Sequence, residues 1–375
     1  MPINEILAEL TSGLAAFTWG NAVMILAGAI LIALAVLKEY EPMLLLPIGF
    51  GCILANIPLT GMTDGDGLFG VLYAAGISTE LFPLLIFIGV GAMIDFSPLL
   101  AQPKMALMGA AGQFGIYGTL ILATLLGFPL NEAASIGVIG AIDGPTSIFV
   151  ASQLAPELLA PIAVAAYSYM SLVPIIQTPI MKLMTTKKER MIRMEYSPRP
   201  VSKRARILFP VVVTLAIGLL VPAAAPLISM LMLGNLLRES GVVDRLSKAA
   251  QNEIANIATL FLAVTIGSTM SAGSFLNVQT VQIMLLGLLA FALDTFAGLL
   301  FGKLMAVVSG GKINPLIGAA GISAFPMAGR LAAKLAQEED FDNFLLMHAM
   351  GTNTAGQLGS VIAGGVLLAL VTGLM

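Results

Sequence analysis

The sequence predicts an all-α polytopic membrane protein, and three observations carry that prediction. Composition is strongly apolar, apolar segments recur along the whole chain, and two of them are interrupted at matching places. Of 375 residues, 58% are hydrophobic and 10% charged, with a mean hydropathy of +0.96. A soluble domain normally carries about 25% charged residues to keep its surface wet. This chain has too little charge for that. Its 39 glycines and 20 prolines would disrupt soluble helices. In a membrane bundle glycine permits close helix contact, and proline marks interruptions that neighbours re-satisfy.

The apolar segments fall at 20–37, 43–59, 80–95, 105–128, 133–154, 158–181, 207–234, 254–275, 281–308, 316–331 and 344–374. About 20 helical residues cross a hydrocarbon core of about 30 Å, so a multi-pass arrangement of about eleven segments is expected. Several are short or broken by Gly, Pro and polar residues. Those read as half-spans or re-entrant elements. The first 20 residues carry Glu5 and Glu9 and no Lys or Arg. They lack the basic flank of a secretory signal and read as an amphipathic lead-in. Cys52 and His348 each stand alone, which excludes an intrachain disulfide and a Cys- or His-rich metal centre.

Nine of the 18 basic residues lie within 182–206: Lys182, Lys187, Lys188, Arg190, Arg193, Arg199, Lys203, Arg204 and Arg206. The positive-inside rule places this loop in the cytoplasm, where it would also meet a cytoplasmic partner. It divides the chain into an N-terminal half, 1–181, and a C-terminal half, 207–375. Within the second half, 235–252 is amphipathic and too polar to span. It should lie at an interface or link two packed elements.

The halves share a layout. The first contains Ile139-Gly-Ala-Ile-Asp143-Gly-Pro-Thr-Ser147, and the second contains Gly321-Ile-Ser323-Ala-Phe-Pro-Met-Ala-Gly-Arg330. Counted from Gly20 and Ile207, Asp143 lies 123 residues in and Ser323 lies 116 in. Tyr169 follows Asp143 by 26 residues, and Asn353 follows Ser323 by 30. Paired breaks at corresponding positions point to two inverted-topology repeats with a binding site where the breaks meet.

The residues at the breaks suit a small cation. An intramembrane carboxylate costs about 2.5–3.5 kcal/mol on insertion scales, so Asp143 is not there for packing. Pro145 frees a carbonyl near Ala141. Ser323, Asn314 and Asn353 add neutral oxygens, with Thr146, Ser147, Thr352 and Thr354 as helpers. Hard cations take oxygen ligands, and a monovalent one fits a site with a single negative charge. The alternative is that Asp143 caps a helix while the Asn and Ser groups join helices. Asp294 is a second intramembrane acid, either a site or an interhelical bond. Asp95 reads as a cap, His348 as a satisfied buried histidine, and Arg330 as an interfacial anchor or an anion contact.

At these residues the chain resembles the beta subunits of sodium-translocating, biotin-dependent decarboxylases. The resemblance rests on Gly140-Ala-Ile-Asp143-Gly-Pro-Thr-Ser-Ile, Ala166-Tyr-Ser-Tyr169-Met-Ser-Leu-Val-Pro174, Asn314-Pro-Leu-Ile-Gly, Ser323 through Arg330, His348-Ala-Met-Gly-Thr-Asn353 and Gly89-Val-Gly-Ala-Met-Ile-Asp95-Phe. It runs over essentially the whole chain. It implies a bacterial inner-membrane subunit that decarboxylates carboxybiotin and exports sodium, consuming a proton. By resemblance Asp143, Asn314, Ser323 and Asn353 bind sodium, Tyr169 delivers a proton, and Arg330 is the functional arginine of its stretch. The implied partners are a carboxyltransferase alpha subunit, a biotin carrier subunit and a small single-span membrane subunit around a homotrimeric core, with no nucleic acid. The shorter N-terminal region looks more like the methylmalonyl-CoA or glutaconyl-CoA forms than the oxaloacetate form. Without the resemblance, the same features fit a sodium symporter or sodium/proton antiporter.

Overall fold

The computed structural model describes residues 11–195 and 200–374, and among them every regular element is helical. The lead-in expected over residues 1–20 lies partly outside the described residues, and Arg199 lies wholly outside them. Before the basic loop run α1 (Trp19–Lys38), α2 (Pro42–Ala55), α3 (Leu81–Met93), α4 (Met105–Leu125), α5 (Leu130–Gly137), α6 (Gly144–Leu154), α7 (Leu159–Ser171) and α8 (Val173–Met184). After it run α9 (Lys203–Leu220), α10 (Ala225–Ser240), α11 (Asp244–Ser268), α12 (Val278–Val308), α13 (Met327–Glu339) and α14 (Leu346–Leu374).

Five helices, α1, α4, α11, α12 and α14, are long and apolar enough to cross a membrane. Two bent pairs raise that to seven: Leu68–Ile77 with α3, at 58°, and α7 with α8, at 63°. The eleven apolar segments are therefore not eleven uniform spans. The stretch 207–234 is two helices, because Val221-Pro222 interrupts it. The stretch 235–252 is no separate interfacial helix. Asn235 is buried in α10 and donates to the Ile94 carbonyl at 3.0 Å, and the chain turns at Gly241 into α11. It links two packed elements, the second of the two readings.

The packing before and after the loop is reciprocal. The second helix of the first stretch, α2, packs on α11, while α10 packs on α3. Glycine makes both approaches close. A Cβ on Gly51 would sit 2.2 Å from the Val264 carbonyl oxygen, and one on Gly267 would sit 2.0 Å from that of Ile48. In the other pair the figures are 1.8 Å from Leu231 for Gly91 and 2.0 Å from Ile88 for Gly234. Small residues allow membrane helices this contact where apolar burial supplies little drive. A π turn precedes α3, at Tyr73–Ile77, and another lies inside α11, at Ala250–Ile254.

Large apolar side chains face outward on the flanking helices, as at Leu26 and Leu37 of α1 and Leu215 and Leu219 of α9. Polar groups lie inside, including Asp143, Asp294, Ser323, Asn353 and Gln357. An apolar exterior around a polar seam is the arrangement a bilayer demands of a chain that handles a charged species.

Candidate functional site

The first break lies between α5 and α6. After α5 the chain tightens into a 3-10 turn, Val138–Ala141, and Ile142 then adopts φ +53 and ψ 43. A β-branched residue in the left-handed region is an outlier that only well-determined surroundings sustain. Residues 138–151 are all buried. Asp143 caps α6, accepting the Thr146 backbone N–H at 3.4 Å. Pro145 follows in the first turn, where its missing N–H costs nothing.

Among the described residues, the Asp143 carboxylate is held by neutral donors only. Its Oδ2 accepts the Thr146 hydroxyl at 2.7 Å, the Gln357 amide at 2.8 Å and the Ser360 hydroxyl at 3.0 Å. Its Oδ1 has the single long bond from the Thr146 N–H. A buried carboxylate with no cationic partner is costly, and a small bound cation offsets that cost.

The second break, between the turn Leu316–Ala319 and α13, meets the first directly. The Ser323 N–H donates to the Ala141 carbonyl at 3.2 Å, the carbonyl that Pro145 was expected to free. The Ser323 hydroxyl donates to the Gly356 carbonyl at 3.1 Å, and the Asn353 amide donates to the Ile322 carbonyl at 2.7 Å. Asn353, Gln357 and Ser360 lie four and three residues apart, so one face of α14 stitches both breaks together. The Asn353 Oδ1 is buried and has no hydrogen-bond partner among the described residues.

Asp143, Ser323 and Asn353 are thus brought to one seam. Gln357 and Ser360 belong there too and were missed. Their i, i+4, i+7 spacing from Asn353 in an apolar span was the available signal.

The other expected site residues make no hydrogen bond to Asp143. Asn314 donates its amide to the Arg190 and Ile192 carbonyls, both at 2.9 Å, and its Oδ1 takes the Leu316 N–H at 3.0 Å. Its side chain ties the basic loop to the second break, and Asn343 grips the same two carbonyls. The Tyr169 hydroxyl donates to the Met284 carbonyl of α12. Arg330 is exposed on the first turn of α13. Asp294 accepts the Gly115 N–H across to α4, and its Oδ2 lies buried beside Gly140 without a hydrogen-bond partner among the described residues. Asp95 accepts the Ser97 N–H at 2.8 Å; it lies one residue before Phe96, the N-cap of the helix Ser97–Ala101, so it closes the turn into that helix and is not its cap. His348 is buried beside the backbone of Met194 and Glu195.

The basic loop is clamped to the far end of α13. Arg190 pairs with Glu339 at 2.6 Å, and Arg193 grips Asp340 through two bonds of 2.6 and 2.7 Å. These bonds hold both carboxyls below their ordinary range.

Sequence comparison shows the family. Residues 20–371 match the family described as the Na+-transporting oxaloacetate decarboxylase beta subunit. The chain belongs to that family. Over 362 residues it is 56% identical to the glutaconyl-CoA decarboxylase subunit beta of Acidaminococcus fermentans, covering 96% of each chain. Over 361 residues it is 57% identical to the methylmalonyl-CoA decarboxylase subunit beta of Veillonella parvula, again covering 96% of each. Identity to the oxaloacetate decarboxylase beta chain of Klebsiella pneumoniae is 47% over 413 residues, covering 94% of this chain and 95% of that one. This beta subunit is accordingly an integral membrane protein of a sodium-transporting decarboxylase, as the resemblance implied.

Proposed function

We propose that this beta subunit decarboxylates carboxybiotin presented by a biotin carrier subunit and couples that step to sodium export. The observation that carries the reading is the Asp143 carboxylate, buried where the two breaks meet and held, among the described residues, only by neutral donors. Sodium is the cargo. It takes Asp143 Oδ1 with oxygens of Ser323 and Asn353. Asn314 joins the set by family resemblance, although its contacts here tie it to the basic loop.

Loss of carbon dioxide from carboxybiotin leaves the biotin nitrogen with an electron pair that must take one proton. Tyr169 is the proposed carrier of that proton. A nearby cation favours phenolate, so sodium binding promotes its release. Arg330, exposed at the start of α13, offers charge to the incoming carboxylate group.

Two inverted repeats, 1–181 and 207–375, are the proposed frame, with 182–206 as a cytoplasmic loop. The reciprocal packing of α2 on α11 and α10 on α3 supports this reading. Higher identity to the glutaconyl-CoA and methylmalonyl-CoA subunits favours those types over the oxaloacetate type. The proposed assembly adds a carboxyltransferase alpha subunit, the biotin carrier and a small single-span subunit around a trimeric core.

Avidin tests the reading. Sodium uptake into inverted vesicles by the purified complex should depend on the acyl substrate and stop when avidin captures biotin. Uptake by this chain alone, driven by a proton or solute gradient and indifferent to avidin, would instead establish a secondary transporter.

A further inference from the structure

Two tyrosines stand two residues apart on α7, and they face different neighbours. A step of two residues turns a helix by about 200°, so Tyr167 and Tyr169 point nearly opposite ways. The Tyr169 hydroxyl is engaged by the Met284 carbonyl. Tyr167 is 2% exposed, and its hydroxyl is buried with no hydrogen-bond partner among the described residues. A buried phenol normally finds a partner, and leaving one without costs about 1–3 kcal/mol.

The ring of Tyr167 lies against Gly144, the residue that follows Asp143. A Cβ on Gly144 would sit 2.0 Å from Cε1 and 2.4 Å from Cζ, the carbon that bears the hydroxyl. The oxygen end of the phenol is therefore beside the start of α6. On the same turn, three donors fill Asp143 Oδ2, while Oδ1 has only the 3.4 Å bond from Thr146. The phenol hydroxyl has no hydrogen-bond partner among the described residues, Asp143 Oδ1 has one long bond, and no hydrogen bond joins the two.

We propose that Tyr167 is a ligand of the transported cation, its hydroxyl oxygen completing the site at Asp143 Oδ1. A neutral phenol keeps lone pairs for a hard cation. A cation is shared by the phenol oxygen and Asp143 Oδ1 without requiring direct contact between them. Gly144 has a clear task in this arrangement, because any side chain there would push the phenol away. The inference rests on Asp143 being the ion site.

Tyr167→Phe is the test, because it keeps the ring against Gly144 and removes only the oxygen. In the intact complex, the sodium concentration for half-maximal decarboxylation should rise about tenfold, as expected for one lost ligand contact. The melting temperature should stay near wild type. Equilibrium binding of radioactive sodium should weaken by the same factor. A Phe variant with wild-type sodium dependence overturns the proposal.

If that variant fails to assemble, spectroscopy replaces it. Sodium added to the wild-type complex, and to Tyr169→Phe, should give an ultraviolet difference signal of a buried phenol. Absence of the signal in both also overturns the proposal. Asp143→Asn, measured alongside, separates the two readings. If it too keeps wild-type sodium dependence, the Asp143 site itself is wrong; if it loses that dependence while Tyr167→Phe keeps it, only the Tyr167 assignment fails.

Discussion

Ser323 donates its backbone N–H to the carbonyl of Ala141 at 3.2 Å, joining two breaks that lie 182 residues apart in the chain. Each break alone would leave orphan backbone groups in an apolar interior, at a cost of several kcal/mol per group. Together they satisfy part of each other; from α14, Asn353 takes the Ile322 carbonyl, and Gln357 and Ser360 hold the Asp143 carboxylate. Non-helical backbone is sustained at this depth because protein surrounds it, and the Asp143 carboxylate is positioned as a result.

Gly144 must lack a side chain. Gly144→Ala places a methyl 2.0 Å from the Tyr167 ring, which is buried and cannot swing away. Overpacking of this kind costs about 1–3 kcal/mol. The melting temperature of the solubilised complex should fall by several degrees. Gly218→Ala, whose methyl meets only Ala225 at 3.6 Å, is the matched control and should leave it unchanged. Equal melting of both variants would contradict the packing described.

The loop clamp should respond to acid. Hydrogen bonds from Arg190 hold the Glu339 carboxyl low, and those from Arg193 do the same for Asp340. A carboxyl depressed in the folded state contributes stability that is complete above its unfolded pKa, near about 4, and lost as pH falls through the folded value. Amide exchange in 185–194 should therefore be flat from neutral pH down to about 5, after correction for intrinsic rates, and should accelerate below about 4. Loosening on raising the pH instead would show that the pairs are not what holds the loop.

Orientation is testable at Lys188, which is exposed in the same loop. Cys52 is the chain's one cysteine and is buried, so Cys52→Ala gives a clean background. Lys188→Cys on that background should be labelled by a membrane-impermeant maleimide in inverted vesicles and protected in right-side-out ones. The reverse pattern would place the loop outside the cell and move the proposed docking side with it.

Much of this was legible in the sequence. Asp143 stood out because a carboxylate in an apolar run followed by Gly-Pro has few packing explanations, and Ser323 because its break echoed the first. Contacts with remote partners were not legible. Nothing local says that the Asn314 amide grips carbonyls of the basic loop, since that requires 190–192 to fold back on the second break. Gln357 and Ser360 were hidden by their neighbours, because short polar residues in a glycine-rich span read equally well as helix-packing groups. Pro222 divides one apolar run into two helices, a boundary that hydropathy averages over.

The central claim is that Asp143 binds the exported sodium, and sodium binding to Asp143→Asn tests it most directly. Asparagine keeps the shape and one acceptor oxygen but removes the charge. Folding and assembly should be verified first by gel filtration, because a lost buried bond could mimic a lost ligand. In an assembled variant, binding of radioactive sodium should weaken at least about a hundredfold, equivalent to about 2.8 kcal/mol, and sodium-coupled decarboxylation should fall to background. Wild-type sodium affinity and wild-type turnover in an assembled Asp143→Asn complex would contradict the account and move the search to Asp294.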